Sequence, residues 1–159
     1  MSDDQIVREQ VLNLLRSSEA HINFENLLAD FPVAGYNEKI EGVPYTAWQL
    51  LEHMRLAQRD ILRFSVDADH VSPEFPKGYW PAPDAVAGVP QWNRTVEAFR
   101  ADLKEMETLV SDQTTDLYAR IPHGDGQTIL REALLVADHN AYHLGVLTVM
   151  KRILNGKGK

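Results

Sequence analysis

The chain contains no cysteine, so it forms no disulfide bond and offers no thiolate ligand to a metal. It also has no run of about 18 apolar residues, which excludes a transmembrane helix. Its first residues, MSDDQIVREQ, lack the basic and apolar regions of a signal peptide. With no segment for export or for membrane insertion, a cytoplasmic protein is the default expectation.

Positive charge is also scarce. Lysine and arginine together number 16 against 23 acidic residues, and the formal net charge is −7. An acidic balance without a basic block argues against binding to the backbone of a nucleic acid and to an anionic membrane surface. We therefore expect a small-molecule substrate, and neither a nucleic acid nor a membrane, as the partner.

The sequence does contain enough apolar residues for one core. Its length of 159 residues and hydrophobic content of 44% are typical of a single globular domain, spanning 1–159. Apolar residues recur at helical spacing and no segment alternates with the period of a strand, so we predict an all-α four-helix bundle. The predicted elements are helices at Asp3–Ala20, Tyr45–Phe64, Gln91–Val110 and Gln127–Leu154, a short helical turn at Asn23–Ala29, and a frayed tail at Gly156 and Gly158.

A long proline-rich segment, Val66–Pro90, separates the second and third predicted helices. Loops of this length in a compact domain are usually functional or disordered. The aromatic residues Phe75, Tyr79 and Trp80 favour an ordered loop that packs onto the body over one end of the bundle.

Two histidines, His139 and His143, lie four residues apart on the fourth predicted helix. At about 100° per residue they fall about 40° apart, on the face that carries the apolar side chains. A third histidine, His53, lies on an inward flank of the second predicted helix. Bundles commonly hold metals between facing helices, and three neutral imidazoles leave an open position on the ion, as in catalytic sites. The pattern predicts a divalent metal centre, with core histidines that bind carbonyls or each other as the alternative.

Three carboxylates are candidates for orienting the histidine rings: Glu132, Asp60 and Asp138. Glu132 is the best placed of them on the helical wheel. However, the helical rise puts it about 10 Å along the axis from His139, so direct contact between the two is not expected.

The remaining histidines have simpler interpretations. His21 follows the first predicted helix and is expected to bind its last carbonyls, with a role at the site as the alternative. His123 is expected to be a turn or cap residue, and His70 to be solvated. Trp48 is more readily a core anchor than a platform for a substrate in the pocket. The arginines of the second predicted helix are expected to face solvent; they are Arg55, Arg59 and Arg63.

Several local runs resemble one branch of a known family. They are AHINFENLLADFP at 20–32, HGDGQT at 123–128 and DHNAYHLG at 138–145. Together with His53 and the pattern His139-x-x-x-His143, they resemble the DinB/YfiT-like superfamily over residues 5–154. The resemblance implies helices that run up-down-down-up, frequent homodimers, and a divalent metal, often zinc or nickel, held by His53, His139 and His143.

The resemblance also implies a type of chemistry. Characterised members are metal-dependent enzymes that use low-molecular-weight thiols, which implies a thiol S-transferase. Because the chain has no cysteine, such a thiol would be a cosubstrate. Two other functions remain open: a metal-dependent hydrolase, in which bound water is the nucleophile, and a non-catalytic binding bundle.

Overall fold

The computed structural model describes residues 2–17 and 20–156, and over this part of the chain the protein is all-helical. Within these ranges there is no strand, only an isolated bridge between Arg120 and Thr128. Two short 3-10 turns lie at Val33–Gly35 and Lys77–Tyr79. The five α-helices are α1 (Asp3–Arg16), α2 (Phe24–Leu28), α3 (Ala47–Val66), α4 (Val89–Ser111) and α5 (Ile129–Gly156).

Side-chain caps explain where the first two long helices begin. At the start of α1, Ser2 and Gln5 form a reciprocal capping box. At the start of α3, Thr46 and Gln49 form another, which confirms Thr46 as the predicted N-cap. The end of α1 differs from the prediction, because Ser17 adopts a left-handed conformation with φ of 50° and ends the helix at Arg16 instead of Ala20.

The other helix limits agree with the predicted ones to within a few residues. Helix α4 begins at Val89, with a proline in its first turn, where the absent N–H is not needed. Helix α5 begins at Ile129, and Thr128 accepts a bond from the Arg131 N–H at 3.1 Å. The predicted frayed tail is helical at Gly156. Gly158 lies outside the described residues.

The four long helices share two adjoining apolar clusters. One combines side chains from α1, α3, α4 and α5, and its members include Val11, Leu62, Met106 and Val136. The other extends from α3, α4 and α5 to the segment between α1 and α3, with Phe24, Leu51, Trp92, Phe99 and Leu147 among its members. Burial of this apolar surface is the main favourable term in folding.

Contacts between the long helices follow a regular order along the chain. Between α3 and α4 the residue numbers rise together, and the pairs are Trp48–Thr95, Gln58–Phe99 and Arg59–Asp102. Between α3 and α5 they run in opposite senses, and the pairs are His53–His143 and Gln58–Asn140. Between α1 and α4 they also run in opposite senses, and the pairs are Arg8–Val110 and Arg16–Glu107.

The arginines of α3 do not simply face solvent, as was expected. Arg59 binds Asp102 of α4 at 3.2 Å, and Arg63 pairs with Glu105 of the same helix. Arg55 pairs with Glu52 at 2.6 Å, and Glu52 in turn accepts a bond from the Thr95 hydroxyl of α4. The expectation holds for Arg59, whose side chain is 54% exposed, although it also pairs with α4. It was wrong for Arg55 and Arg63, whose side chains are 18% and 27% exposed, because α4 packs beside this face.

The segment between α3 and α4 is anchored to α3. The amide of Gln49 donates to the carbonyls of Ala82, Pro83 and Ala85, at 3.1 to 3.3 Å. Trp80 packs against Tyr45 with ring centroids 5.0 Å apart. Among the described helices, none has the length and apolar content needed to cross a membrane.

The first prediction concerns the core. We expect Leu62→Ala to lower the free energy of unfolding by about 2–5 kcal/mol, because the substitution leaves a cavity. Leu62 is 0% exposed. On the same helix, Val66 is 44% exposed, and Val66→Ala should change stability by less than about 0.5 kcal/mol. Urea unfolding measures both, and equal losses would contradict the assignment of Leu62 to the core.

Candidate metal centre

Three histidines from two helices meet where α3 packs against α5. His53 comes from α3, while His139 and His143 come from adjacent turns of α5. One ring nitrogen from each lies within 4.8 Å of the others. Nε2 of His53 and Nε2 of His139 are 3.2 Å apart. The structure thus brings together the three residues that the sequence predicted as ligands.

Neighbouring rings pack against two of the three histidines, which are buried, whereas His139 is half-buried. His53 is 8% exposed and His143 is 7% exposed. Trp80 lies flat against His53, with centroids 3.8 Å apart and planes 2° apart. Tyr142 meets His143 edge-on at 4.9 Å. Aromatic packing therefore holds His53 through a loop residue and His143 through a residue of its own helix.

Hydrogen bonding distinguishes His53 from the other two histidines. Its Nδ1 donates to the backbone carbonyl of Tyr79 at 2.8 Å. Because a carbonyl only accepts, Nδ1 of the neutral ring carries the proton and Nε2 presents a lone pair to the cluster. For His139 and His143, Nδ1 is buried and has no hydrogen-bond partner within the described chain.

All three imidazoles favour the neutral form that a metal requires. Burial, together with the nearby rings of His139 and His53, lowers the pKa of His143 to about 3. Burial and the neighbouring His53 lower the pKa of His139 to about 4. Burial also lowers the pKa of His53, against the opposing effect of its bond to Tyr79. At neutral pH, proton loss is therefore not needed before an ion binds.

The donor set fits a divalent ion. Two nitrogens that bind one ion tetrahedrally at about 2.0–2.1 Å lie roughly 3.3 Å apart, and the two Nε2 atoms here are 3.2 Å apart. Without an ion, these two nitrogens either face each other as two lone pairs or share a single proton. An ion between them would replace that contact with two metal–nitrogen bonds. Three protein ligands leave a further position open, as in catalytic zinc sites.

The structure separates the three candidate carboxylates. Glu132 is buried, but it pairs with Arg131 at 2.7 Å and has no described contact with the histidines. Asp138 is exposed, and its charge acts only weakly on the pKa of His139. Asp60 binds neither α5 histidine; it accepts hydrogen bonds from two residues of the loop that follows α3.

The other two pocket candidates lie away from the cluster. His21 is exposed and its Nδ1 contacts the carbonyl of the adjacent Ile22 at 3.0 Å. Trp48 is buried, and its indole N–H donates to the Thr95 hydroxyl at 3.2 Å, between α3 and α4. Trp48 is therefore a core residue, as the simpler interpretation had it.

Two further histidines were predicted to lie outside the site. His123 donates from Nε2 to the Phe64 carbonyl at 2.6 Å near the end of α3, which confirms a turn or cap role. His70 was expected to be solvated, and this was wrong. Its Nε2 bonds to an oxygen of Asp60 at 2.7 Å, with 19% of the side chain exposed.

Sequence reasoning missed the loop residues that contact His53. Tyr79 contributes a backbone carbonyl and Trp80 a ring face. A carbonyl has no signature in sequence, because every residue carries one. The adjacent aromatics in a proline-rich segment were the only available signal, and they indicated an ordered loop without indicating which side chain it covers.

Comparison with known proteins gives one match. A family model described as the DinB superfamily matches residues 16–147. The match includes His53, His139 and His143, and it confirms the resemblance drawn from the local runs. No curated protein and no solved structure matches the chain.

The second prediction is a pH dependence. In metal-free protein, we expect the free energy of unfolding to fall as the pH falls from 6.5 towards about 5. Unfolded histidines take up protons near their ordinary pKa of 6.5, whereas folded His139 and His143 have pKa values of about 4 and about 3. The unfolded state therefore binds more protons in this window, and stability decreases by at most about 1.4 kcal/mol per pH unit for each histidine.

Urea unfolding in EDTA at several pH values measures this slope. His143→Gln should reduce the slope of stability against pH by the contribution of one histidine. His21→Gln is the matched control, because His21 is exposed and should leave the contribution of the cluster intact. The same slope for His143→Gln as for the natural chain would contradict the prediction.

Proposed function

The chain belongs to the DinB superfamily, and from that premise we propose that His53, His139 and His143 hold one divalent metal ion. The observation that carries the proposal is the meeting of three ring nitrogens within 4.8 Å from helices far apart in sequence. The unpaired Nδ1 atoms of His139 and His143 show that hydrogen bonding alone does not satisfy this cluster.

Zinc or nickel is the ion we propose. Imidazole nitrogens suit zinc, copper, iron and nickel, whereas magnesium and calcium prefer oxygen ligands. The site offers three imidazoles and no carboxylate among the contacting groups that the structure describes. The chain also lacks the cysteine ligands that would favour copper(I) or an iron–sulfur cluster.

We propose an up-down-down-up bundle as the frame of this site. The ordered contact pairs support parallel α3 and α4, with α1 antiparallel to α4 and α5 antiparallel to α3. In this arrangement the proline-rich segment, residues 67–88, connects two parallel helices and so must return along the bundle. On that return it passes the histidine cluster, where Tyr79 and Trp80 contact His53. We propose that the role of the segment is to cover this side of the metal centre.

We further propose that the protein is a transferase that uses a low-molecular-weight thiol. When bound, the ion supplies the positive charge that lowers the pKa of a coordinated thiol. The chain's own part is to keep the three rings neutral and to orient them, with Trp80 packed flat on His53. The thiol must come from outside, because the chain has no cysteine. A homodimer and a cytoplasmic location stay predictions.

The third prediction concerns metal content. Untagged protein should carry close to one equivalent of zinc or nickel per chain, measured by mass spectrometry. His139→Ala should lose most of it, because removal of one of three ligands leaves an incomplete site. His21→Ala should retain the metal, since His21 is exposed and outside the cluster. Low metal in the natural chain, even after incubation with zinc, nickel, iron and manganese, would overturn the proposal.

The fourth prediction concerns the reaction. With a generic electrophile such as monochlorobimane, we expect metal-dependent turnover in the presence of one of a panel of bacterial thiols. His143→Ala should abolish it, whereas His21→Ala should leave it unchanged. Turnover of ester, amide or lactone substrates without any thiol would contradict the transferase and favour a hydrolase.

A further inference from the structure

We propose that Asp60 is a positioning residue for the metal centre, acting through Tyr79 to fix the orientation and tautomer of His53. This inference rests on the proposed function, since the ring that it orients is a proposed ligand. Asp60 lies on α3, two helical turns after His53, and it touches none of the three histidines of the cluster.

Both oxygens of Asp60 bind the loop that follows α3. One accepts from Nε2 of His70 at 2.7 Å, and the other accepts from the hydroxyl of Tyr79 at 2.6 Å. The carboxylate is only 12% exposed, so water competes weakly for these bonds. One side chain of α3 therefore holds two points of the loop, nine residues apart, against the helix. We refer to the three residues Asp60, His70 and Tyr79 as the carboxylate clamp.

The clamp fixes the atom that orients His53. The backbone carbonyl of Tyr79 accepts the Nδ1 proton of His53 at 2.8 Å, while the hydroxyl of the same residue is held by Asp60. One residue is thus bound at both its ends. The bond to the carbonyl keeps the proton on Nδ1 and leaves the Nε2 lone pair facing His139. Such outer contacts commonly decide ring orientation at metal sites.

The clamp also places the next residue. Trp80 follows Tyr79 and lies flat on His53 at 3.8 Å, with Tyr45 stacked on it at 5.0 Å. Further along, the loop is anchored separately by Gln49, which donates to the carbonyls of Ala82, Pro83 and Ala85. Loss of the clamp should therefore loosen residues 70–80 without releasing the whole connection.

No other contact in the described chain supplies this function for the cluster. His139 and His143 lack a partner at Nδ1, and the hydrogen bond described for His139 runs to His53 within the cluster. His53 is the one histidine of the three with an outer hydrogen bond, and that bond comes from the loop and not from a helix. The orientation of His53 consequently depends on how firmly the loop is held.

The experiment uses two substitutions in the full-length, untagged chain. Tyr79→Phe removes the hydroxyl but keeps the ring and the backbone carbonyl. Asp60→Asn keeps the shape of the side chain but replaces one acceptor with a donor, so that it cannot accept from both partners. Tyr118→Phe and Asp84→Asn are the matched controls, because both residues are exposed and neither takes part in the clamp contacts.

The first measurement needs no metal. Long-range ¹H–¹⁵N NMR of the imidazole rings, in EDTA, reports which nitrogen of His53 is protonated. We expect the Nδ1–H tautomer in the natural chain and in both controls, and a mixture of tautomers in Tyr79→Phe and Asp60→Asn. The second measurement is competition for zinc with a chromophoric chelator, in which the two clamp variants should bind about tenfold more weakly.

The outcomes separate the clamp from the proposed function. A natural chain that binds neither zinc nor nickel would overturn the metal site. The tautomer of His53 in metal-free protein would still decide whether the clamp orients that ring. Unchanged tautomer and unchanged zinc affinity in Tyr79→Phe would overturn the clamp and leave the metal site standing. A lower melting temperature with an unchanged tautomer would also overturn it, because the residues would then serve stability only.

Discussion

Three imidazoles meet where α3 packs against α5. The hydrogen-bonding needs of these rings are the constraint on the structure around them. A buried polar group without a partner costs roughly 1–3 kcal/mol. The structure meets that requirement for His53 with a carbonyl from the loop, but not for Nδ1 of His139 or His143. The helices therefore bring together three imidazoles that do not meet one another's hydrogen-bonding capacity. Such clusters are common at sites that bind a ligand or a metal ion.

A buried amide next to the cluster has both of its polar atoms paired. One turn away, the side chain of Gln58 donates to the Phe99 carbonyl at 2.8 Å and accepts from Asn140 at 2.8 Å. This buried chain links α4, α3 and α5 at the level of the histidines. It fixes the spacing of the helices, so that the separation of the rings is set by the scaffold and not by the rings themselves.

Helical periodicity was sufficient to predict the four long helices. It therefore predicted α3 and α5, which carry the three histidines, but not the loop residues that contact His53. The pair His139 and His143 is recognisable because both lie on one helix at a spacing that the backbone dictates. The contribution of Asp60 was not predictable in the same way. Asp60 was considered as a direct partner of the rings, but its partners are loop residues 10 and 19 positions away.

The errors have a common physical cause. The wheel of one helix shows which residues share a face, but it does not show what packs beside that face. On the wheel Glu132 is the best placed of the carboxylates, and only the structure shows that the adjacent Arg131 pairs with it. Arg59 and Arg63 look solvated on the wheel of α3, and the carboxylates of α4 meet them there. Contacts with a helix distant in sequence decided the two arginines, and an adjacent residue decided Glu132.

The separation of 86 residues between His53 and His139 has a consequence for folding kinetics. The two histidines of α5 come together as soon as that helix forms, within the time of local helix formation. The third joins them only after a long loop has closed, and contacts of such sequence separation form slowly. When the unfolded chain refolds, we therefore expect the pair on α5 to form before the complete three-histidine cluster.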